Sequence, residues 1–482
     1  MITVAYALRW GLFWAVGLIL VSLLSPYHPW QSILSTSFGI GGSHWDILYH
    51  LGGNGPWIPK IDGIVPGGIE APEGCQVEQI HMISRHGERY PTSSAGSRML
   101  TLLQRIKDSN ITLKGDLEFV NDWQYFSLEP SAEHDQLTNT GPYAGTLSSF
   151  AAGTRLRTRY LHLLTSIPSS QSTKFWASDC NRVIETARYF ATGFFGLDWN
   201  STRAKLQVIP ETPDLGADTL TPGDTCLKYR DDLLTGHDYG LIQLAKFRSA
   251  YLPAVSARFQ AQNPGIKFSD GELYSMQEMC GFEILVRGSS QWCDIFNHDD
   301  WLNFEYARDV IHYYRAGPGN QFGPALGWLW LNATANLLSK GPDAGKLFFS
   351  FVHDGDIIPM LAALDLFHSK EHLPVSHRPR NRQWRTSQVT PMNGRIIFER
   401  LRCNRASRET PLNQEKASKH YVRININDGI VALPKCESGP GSSCPLEEFP
   451  AFVQRRGGEI GDFRKMCGLG DDAPARIEFL HQ

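Results

Sequence analysis

Three short stretches of the chain gather side chains able to grip and attack a phosphoryl group. They are Arg85-His86-Gly87-Glu88-Arg89-Tyr90-Pro91, Asp179-Cys180-Asn181-Arg182 and His353-Asp354-Gly355-Asp356. Each follows an apolar run with strand character: VEQIHMI (77–83), KFWA (174–177) and LFFSFV (347–352). In a parallel sheet the carboxyl ends of the strands share one edge, where open α/β folds bind their ligands. Arg85, His86, Arg89, Arg182, His353 and Asp354 are therefore expected to converge. Guanidinium forks match phosphate oxygens two at a time. A neutral imidazole held among them can attack phosphorus, and the nearby positive charge keeps it unprotonated in acid. Asp354 is then suited to protonate the departing oxygen. The chemistry implied is phosphomonoester hydrolysis in acid, with no metal and no other cofactor.

Competing readings of these residues are weaker. His86 and the HDGD run could ligate a metal, but clustered guanidinium groups repel a cation and no further His or Asp stands at a ligand spacing. Asp356 is expected to hydrogen-bond the backbone where the next helix begins. Lys370, Arg378, Arg380, Arg382 and Arg385, with Trp384 among them, read as a solvated loop or as a surface attracting a highly phosphorylated substrate. Bulk nucleic-acid binding is excluded by charge, because 46 Lys and Arg against 49 Asp and Glu leave a net −3.

The elements that must position these groups follow from the pattern. A chain of 482 residues has room for about three domain-sized units. Strands alternating with helical stretches, such as RVIETARYFATGFF after KFWA, argue for an α/β fold with a mostly parallel sheet. Expected boundaries are a leader over 1–25, a Gly/Pro-rich arm or linker over 26–74, and a catalytic α/β domain over 75–205 and 326–482. A mostly helical insertion fills 206–325. GRIIFERLRC (394–403) and YVRININDGIVALP (421–434) read as strands, and the Asn-Asp-Gly in the second signals a hairpin.

The amino terminus sets the compartment. Arg9 precedes the uncharged run WGLFWAVGLILVSLL (10–24), and no other charged residue occurs before Asp46. This reads as a secretory signal or as an uncleaved signal anchor, so the body is secreted or held outside the cytoplasm by a membrane anchor. Nine cysteines agree with an oxidising compartment, and the odd number leaves at least one thiol without an internal partner. Cys436 and Cys444 flank the turn-rich ESGPGSS, and Cys280 and Cys293 are also near neighbours; long-range pairing stays open. Sequons at Asn110, Asn200 and Asn332 fit a glycosylated surface.

RHGxRxP at 85–91 and His353-Asp354 resemble the two signature motifs of the histidine acid phosphatases, the branch of the phosphoglycerate-mutase-like superfamily that includes phytases. Similarity extends through HLGGNGPW (50–57), LTNTGPYAGTL (137–147), WLNFEYARDVIHYYRAGPGN (301–320) and DFRKMCG (462–468), and is greatest to fungal secreted acid phosphatases and phytases. The resemblance implies a doubly wound α/β fold with an inserted helical domain. It implies a phosphohistidine on His86, proton transfer by Asp354, and phosphate contacts from Arg85, Arg89, Arg182 and His353. Glu305 would lie near the leaving group. It also implies pairing of Cys75 with Cys403, Cys180 with Cys467, Cys280 with Cys293 and Cys436 with Cys444, leaving Cys226 free. The substrate would be a simple phosphomonoester or an inositol phosphate such as phytate. Alternatives are a phosphotransferase of mutase type, or a non-catalytic surface protein on the same fold.

Overall fold

In the computed structural model, which describes residues 45–367, 370–404 and 418–482, β-branched and aromatic runs supply the strands of one central sheet. The strands are β1 (Cys75–Arg85), β2 (Thr173–Ser178), β3 (Ala204–Ile209), β4 (Leu347–Val352), β5 (Arg395–Cys403), β6 (Lys419–Ile426), β7 (Gly429–Val431) and β8 (Cys444–Pro445). Their order is β3-β2-β4-β1-β5-β6-β7, with β8 beside β6. β1, β2, β3 and β4 are parallel, as expected for the strands that carry the candidate site. The remainder is antiparallel, so the sheet is mixed rather than mostly parallel. At the β6–β7 connection Asn427 and Asp428 take φ of 48° and 60°, the two left-handed positions of a tight hairpin turn, which sends β7 straight back along β6. β3, with AKLQVI, alternates apolar and polar residues and forms an edge of the sheet.

Helices cover both faces, as doubly wound packing requires. On one side α1 (Gly145–Arg159) and α2 (Asn181–Phe195) enclose Leu156, Phe175, Phe190, Phe194, Phe349 and Phe351. Their backbones cross closely at Gly153 and Gly193, where a Cβ would lie 2.2 Å from the carbonyl oxygens of Phe190 and Phe150 respectively. On the other side Trp176, Phe348, Ile357 and Phe398 join a larger core shared with the helical region. Between β3 and the helix at Gly323–Lys340 every regular element is helical, notably α3 (Tyr239–Gln262), α4 (Asp270–Arg287) and α5 (His298–Arg315). Capping boxes at Ser269/Glu272 and Asn297/Asp300 start α4 and α5. The stretch Gly52–Asn54 is buried and reaches the centre of the molecule.

Three of the four disulfides are those implied by resemblance: Cys75–Cys403, Cys280–Cys293 and Cys436–Cys444. The fourth differs. Cys467 pairs with Cys226, and Cys180 is the free thiol. The cause is packing, because Phe463–Cys467 lies in an apolar cluster with Cys226 and Tyr229, whereas Cys180 ends β2 beside Arg182. Four disulfides suit an extracytoplasmic protein. Among the described residues no helix is long and apolar enough to cross a membrane; the apolar run 10–24 lies outside them. Asn110 and Asn200 are exposed and Asn332 is half-buried. Thiol titration of the unfolded, unreduced protein is expected to find one reactive group that Cys180→Ser abolishes. Cys226→Ser should instead release a second thiol and cost about 2–5 kcal/mol of stability, read by denaturant unfolding.

Candidate active site

The ends of β1 and β4 meet where the chemistry is expected. His86 N–H donates to the Val352 carbonyl at 2.9 Å, and Asn393 N–H donates to the His86 carbonyl at 2.8 Å, so the backbone around His86 is pinned from both sides. The chain then turns tightly against α1. A Cβ on Gly87 would lie 2.6 Å from Ser149 Oγ, and one on Gly145 would lie 1.9 Å from the Glu88 carbonyl oxygen, so glycine is needed at both positions. Gly87 N–H is taken up by Thr186 Oγ1 of α2 at 2.9 Å.

His86 is buried, and its Nδ1 lies 2.9 Å from the Gly87 carbonyl oxygen. A carbonyl only accepts, so Nδ1 carries the proton and Nε2 keeps its lone pair. Burial holds the imidazole well below its ordinary pKa, and the charges of Arg182, Arg85 and Arg89, with His353, push it further down. Arg85 is fully buried; its Nη1 donates to the Gly53 and Thr390 carbonyls, each at 2.8 Å, and its Nη2 lies 3.0 Å from Asp354 Oδ2. Arg89 donates to the Tyr90 carbonyl at 2.8 Å and lies over the Phe282 ring. Arg182 Nη2 donates to His353 Nδ1 at 3.2 Å, and the His353 ring stands edge-on to His86 with centroids 5.8 Å apart.

Asp354 is the first residue of the helix Asp354–Ala363. Its Oδ1 accepts from Gly355 N–H at 2.9 Å. Burial alone would raise this carboxyl, but Arg85, His312, His86 and Arg315 outweigh it and hold Asp354 well below the usual carboxylate range. Asp356 accepts from His353 N–H at 3.1 Å, the helix-start role expected of it.

His86, Arg89, Arg182, His353 and Asp354 line one cleft of about 770 Å³, and Arg85 is tied to it through Asp354. Glu305 does not line it, a correction to the role implied by resemblance. Its buried carboxylate is consumed by His50 at 2.7 Å, Arg382 at 2.7 Å and Arg385 at 3.0 Å. The basic stretch 370–385 is likewise not a solvated loop throughout: Arg382 is buried against Asp309 and Glu305, and Trp384 is buried beside it. This network joins α5 to the segment that presents the Thr390 carbonyl, because Asp309 also accepts from Thr386 N–H at 2.7 Å.

The positive rim comes from residues that sequence reading missed. Arg308, His312 and Arg315 stand at i, i+4 and i+7 on one face of α5 and line the cleft, together with Arg98, Arg230 and Arg248. That helical spacing in RDVIHYYR was the available signal. Arg308 donates to His312 Nε2 at 3.0 Å and to Tyr274 Oη at 3.2 Å. Among the described residues no group of three or more His, Cys, Asp or Glu is arranged to hold a metal ion.

Comparison with known proteins agrees with this geometry. Residues 76–427 match the profile of the Histidine phosphatase superfamily (branch 2). The chain is 34% identical over 440 residues to a phytase of Candida albicans, covering 90% of each. It is 32% identical over 441 residues to an acid phosphatase of Komagataella pastoris, covering 90% of this chain and 89% of the relative. The crystal structure of the phytase from D. castellii superimposes with a TM-score of 0.82 at 29% identity, covering 93% of both chains.

Glu88, two residues after His86, is buried, accepting from Trp57 N–H at 3.0 Å and from the Ser148 hydroxyl. Burial lifts its pKa from 4.5 to about 7, although these hydrogen bonds pull the other way. The folded protein thus keeps a proton that the unfolded chain loses above pH 4.5. The resulting stabilisation, up to about 3 kcal/mol, is fully present in acid and is lost as pH rises through 7. Urea midpoints measured from pH 4 to 8 are expected to fall less steeply for Glu88→Gln than for the parent; parallel curves would refute the assignment.

Proposed function

Because this chain belongs to branch 2 of the histidine phosphatase superfamily, we propose that its cleft hydrolyses phosphomonoesters in acid, with His86 as nucleophile and Asp354 as proton donor. The observation that carries this reading is the proton on His86 Nδ1, fixed by the Gly87 carbonyl, which leaves Nε2 free among three guanidinium groups.

Arg85, Arg89, Arg182 and His353 hold the phosphoryl oxygens, and their charge stabilises the transition state most where negative charge spreads over phosphorus. Nε2 forms a bond to phosphorus as the ester P–O bond breaks. Asp354 gives its proton to the departing alcohol oxygen. In the free enzyme Asp354 is ionised; the arriving phosphate engages the same guanidinium groups, and the added negative charge favours uptake of a proton from the acidic medium. In the second step Asp354, now a carboxylate, takes a proton from water as the water oxygen attacks phosphorus and the P–N bond breaks. Phosphate leaves and His86 returns to its starting tautomer.

Inositol phosphates, phytate among them, suit this cleft better than small monoesters alone. Two observations support that: a relative named as a phytase, and guanidinium groups of Arg98, Arg230, Arg248 and Arg315 lining the cleft in addition to those at the reacting phosphate. A ligand with several phosphates would engage both sets. Export to the cell exterior is supported by the disulfides and by the apolar run 10–24. Glycans on Asn110 and Asn200 would be compatible with their exposure.

His86→Ala is expected to lower hydrolysis of an aryl phosphate at pH 5 by about 10⁴-fold or more while leaving the thermal midpoint near that of the parent. Asp354→Asn should reduce turnover of alkyl phosphates about 10²–10⁴-fold and of aryl phosphates much less, because a phenolate leaves without a proton. Equal losses on both would remove Asp354 from the acid role. EDTA should leave activity intact, whereas inhibition reversed by a divalent ion would favour a metal mechanism.

A further inference from the structure

Among the described residues the two ring nitrogens of His353 have different partners, and one of them belongs to the arginine cluster. Its Nδ1 accepts from Arg182 Nη2 at 3.2 Å, which obliges Nε2 to carry the proton, and that proton points to Glu211 Oε1 at 2.9 Å. Glu211 sits two residues beyond the end of β3, the edge strand. The Asp179 N–H to Ile209 carbonyl bond, 3.0 Å long, fastens the end of β3 to the loop that carries Arg182. Carboxylate, imidazole and guanidinium therefore form a chain across three consecutive strand ends, β3, β4 and β2.

We propose that Glu211 is a positioning residue for phosphate binding: it orients His353 through Nε2 and stabilises the imidazolium formed when His353 takes a proton from the incoming phosphomonoester. This rests on the reading of His353 as a phosphate contact.

The proton balance is simple. With a second phosphate pKa near 6, a monoester in acid arrives mainly as a monoanion bearing one P–OH. Arg182 turns from His353 Nδ1 to a phosphoryl oxygen, and the freed Nδ1 takes the P–OH proton. A dianion is left, gripped by an imidazolium and guanidinium groups. The imidazolium has a carboxylate at its far nitrogen, so the new charge is compensated within hydrogen-bond distance.

Other groups facing His353 oppose or modulate this change. Arg182 and the His86 ring disfavour a second positive charge. Asp354 on its own turn favours it, whereas Asp356 and Asp224, whose carboxyls burial raises, contribute less in acid. Glu211 alone bonds the ring nitrogen directly on that side. Burial would raise the Glu211 carboxyl, but His353 and Arg182 keep it below its ordinary value, so it is available as an anion in acid.

The experiment compares Glu211→Gln, Glu211→Ala, His353→Asn and the Glu211→Ala/His353→Asn double variant, using an aryl phosphate as substrate and inorganic phosphate as inhibitor across pH 4–8. Glu211→Gln keeps an acceptor for Nε2–H but removes the charge. It is expected to move the basic limb of kcat/KM to lower pH by about half a unit or more. Glu211→Ala should in addition raise KM and the phosphate inhibition constant about tenfold at pH 5, with a smaller change in kcat. In the His353→Asn background Glu211→Ala should add little, since its effect passes through the imidazole. Full activity in His353→Asn would refute the phosphate contact itself. Impaired His353→Asn with an unshifted pH profile in Glu211→Gln would refute only the role of Glu211. Phosphate-induced rise of the thermal midpoint checks folding: a Glu211→Ala protein that melts as the parent does without phosphate, yet gains less from phosphate, supports the proposal.

Discussion

A fully buried guanidinium, that of Arg85, is the constraint around which the site is assembled. Taking a cation out of water is expensive unless it is paired with a counter-charge, and breaking such a pair by removing one partner costs about 3–5 kcal/mol. Arg85 draws its acceptors from three distant places: the Gly53 carbonyl from the amino-terminal arm, the Thr390 carbonyl from the segment before β5, and the Asp354 carboxylate from the end of β4. The contacts of this one side chain thus tie β1, Asp354 and the Gly52–Asn54 stretch together. The ionic network of Glu305, Arg382 and Asp309 then holds the Thr390 segment to α5. Glu305 is thereby part of the scaffold that presents the Thr390 carbonyl to Arg85.

The electrostatics follow from the same crowding. Positive charge outnumbers negative inside the cleft, which lowers the affinity of His86 for a proton and keeps Asp354 ionised until an anion arrives. A site with this imbalance is unfavourable when empty and relieved when filled, so binding and catalysis draw on one store of electrostatic energy. Burial acts in the opposite sense on Glu88, which carries no such charge-assisted pairing and stays neutral in acid. Two carboxyl groups near His86 are therefore separated in protonation by their surroundings alone.

Much of this was legible in the residues because it is local. VEQIHMI, KFWA and LFFSFV are short apolar runs that end abruptly in charge, and all three became strands delivering that charge to one edge. The hairpin at Asn427-Asp428 was equally plain, since its turn chemistry lies within the turn. What stayed hidden depends on contacts between distant parts of the chain. Glu211 lies just beyond an edge strand and 142 positions from His353, so their contact appears only in the fold. The Cys226–Cys467 bond depends on how a short carboxyl-terminal helix packs, which no spacing encodes. The basic stretch 370–385 misled for the opposite reason: composition suggests a solvated surface, but acids from α5 draw its Arg382 inside.

The cleft has two walls of different origin. The reacting groups stand on the ends of β1, β2 and β4, locked by backbone hydrogen bonds and close glycine contacts. Arg248, Arg308 and Arg315, which also line the cleft, stand on α3 and α5. Inheritance can thus treat the two walls separately. Drift and selection acting on the helical wall would redraw which molecules enter, while the strand-end wall continues to perform the same bond-breaking step, so descendants of one ancestor can diversify in diet without reinventing their reaction.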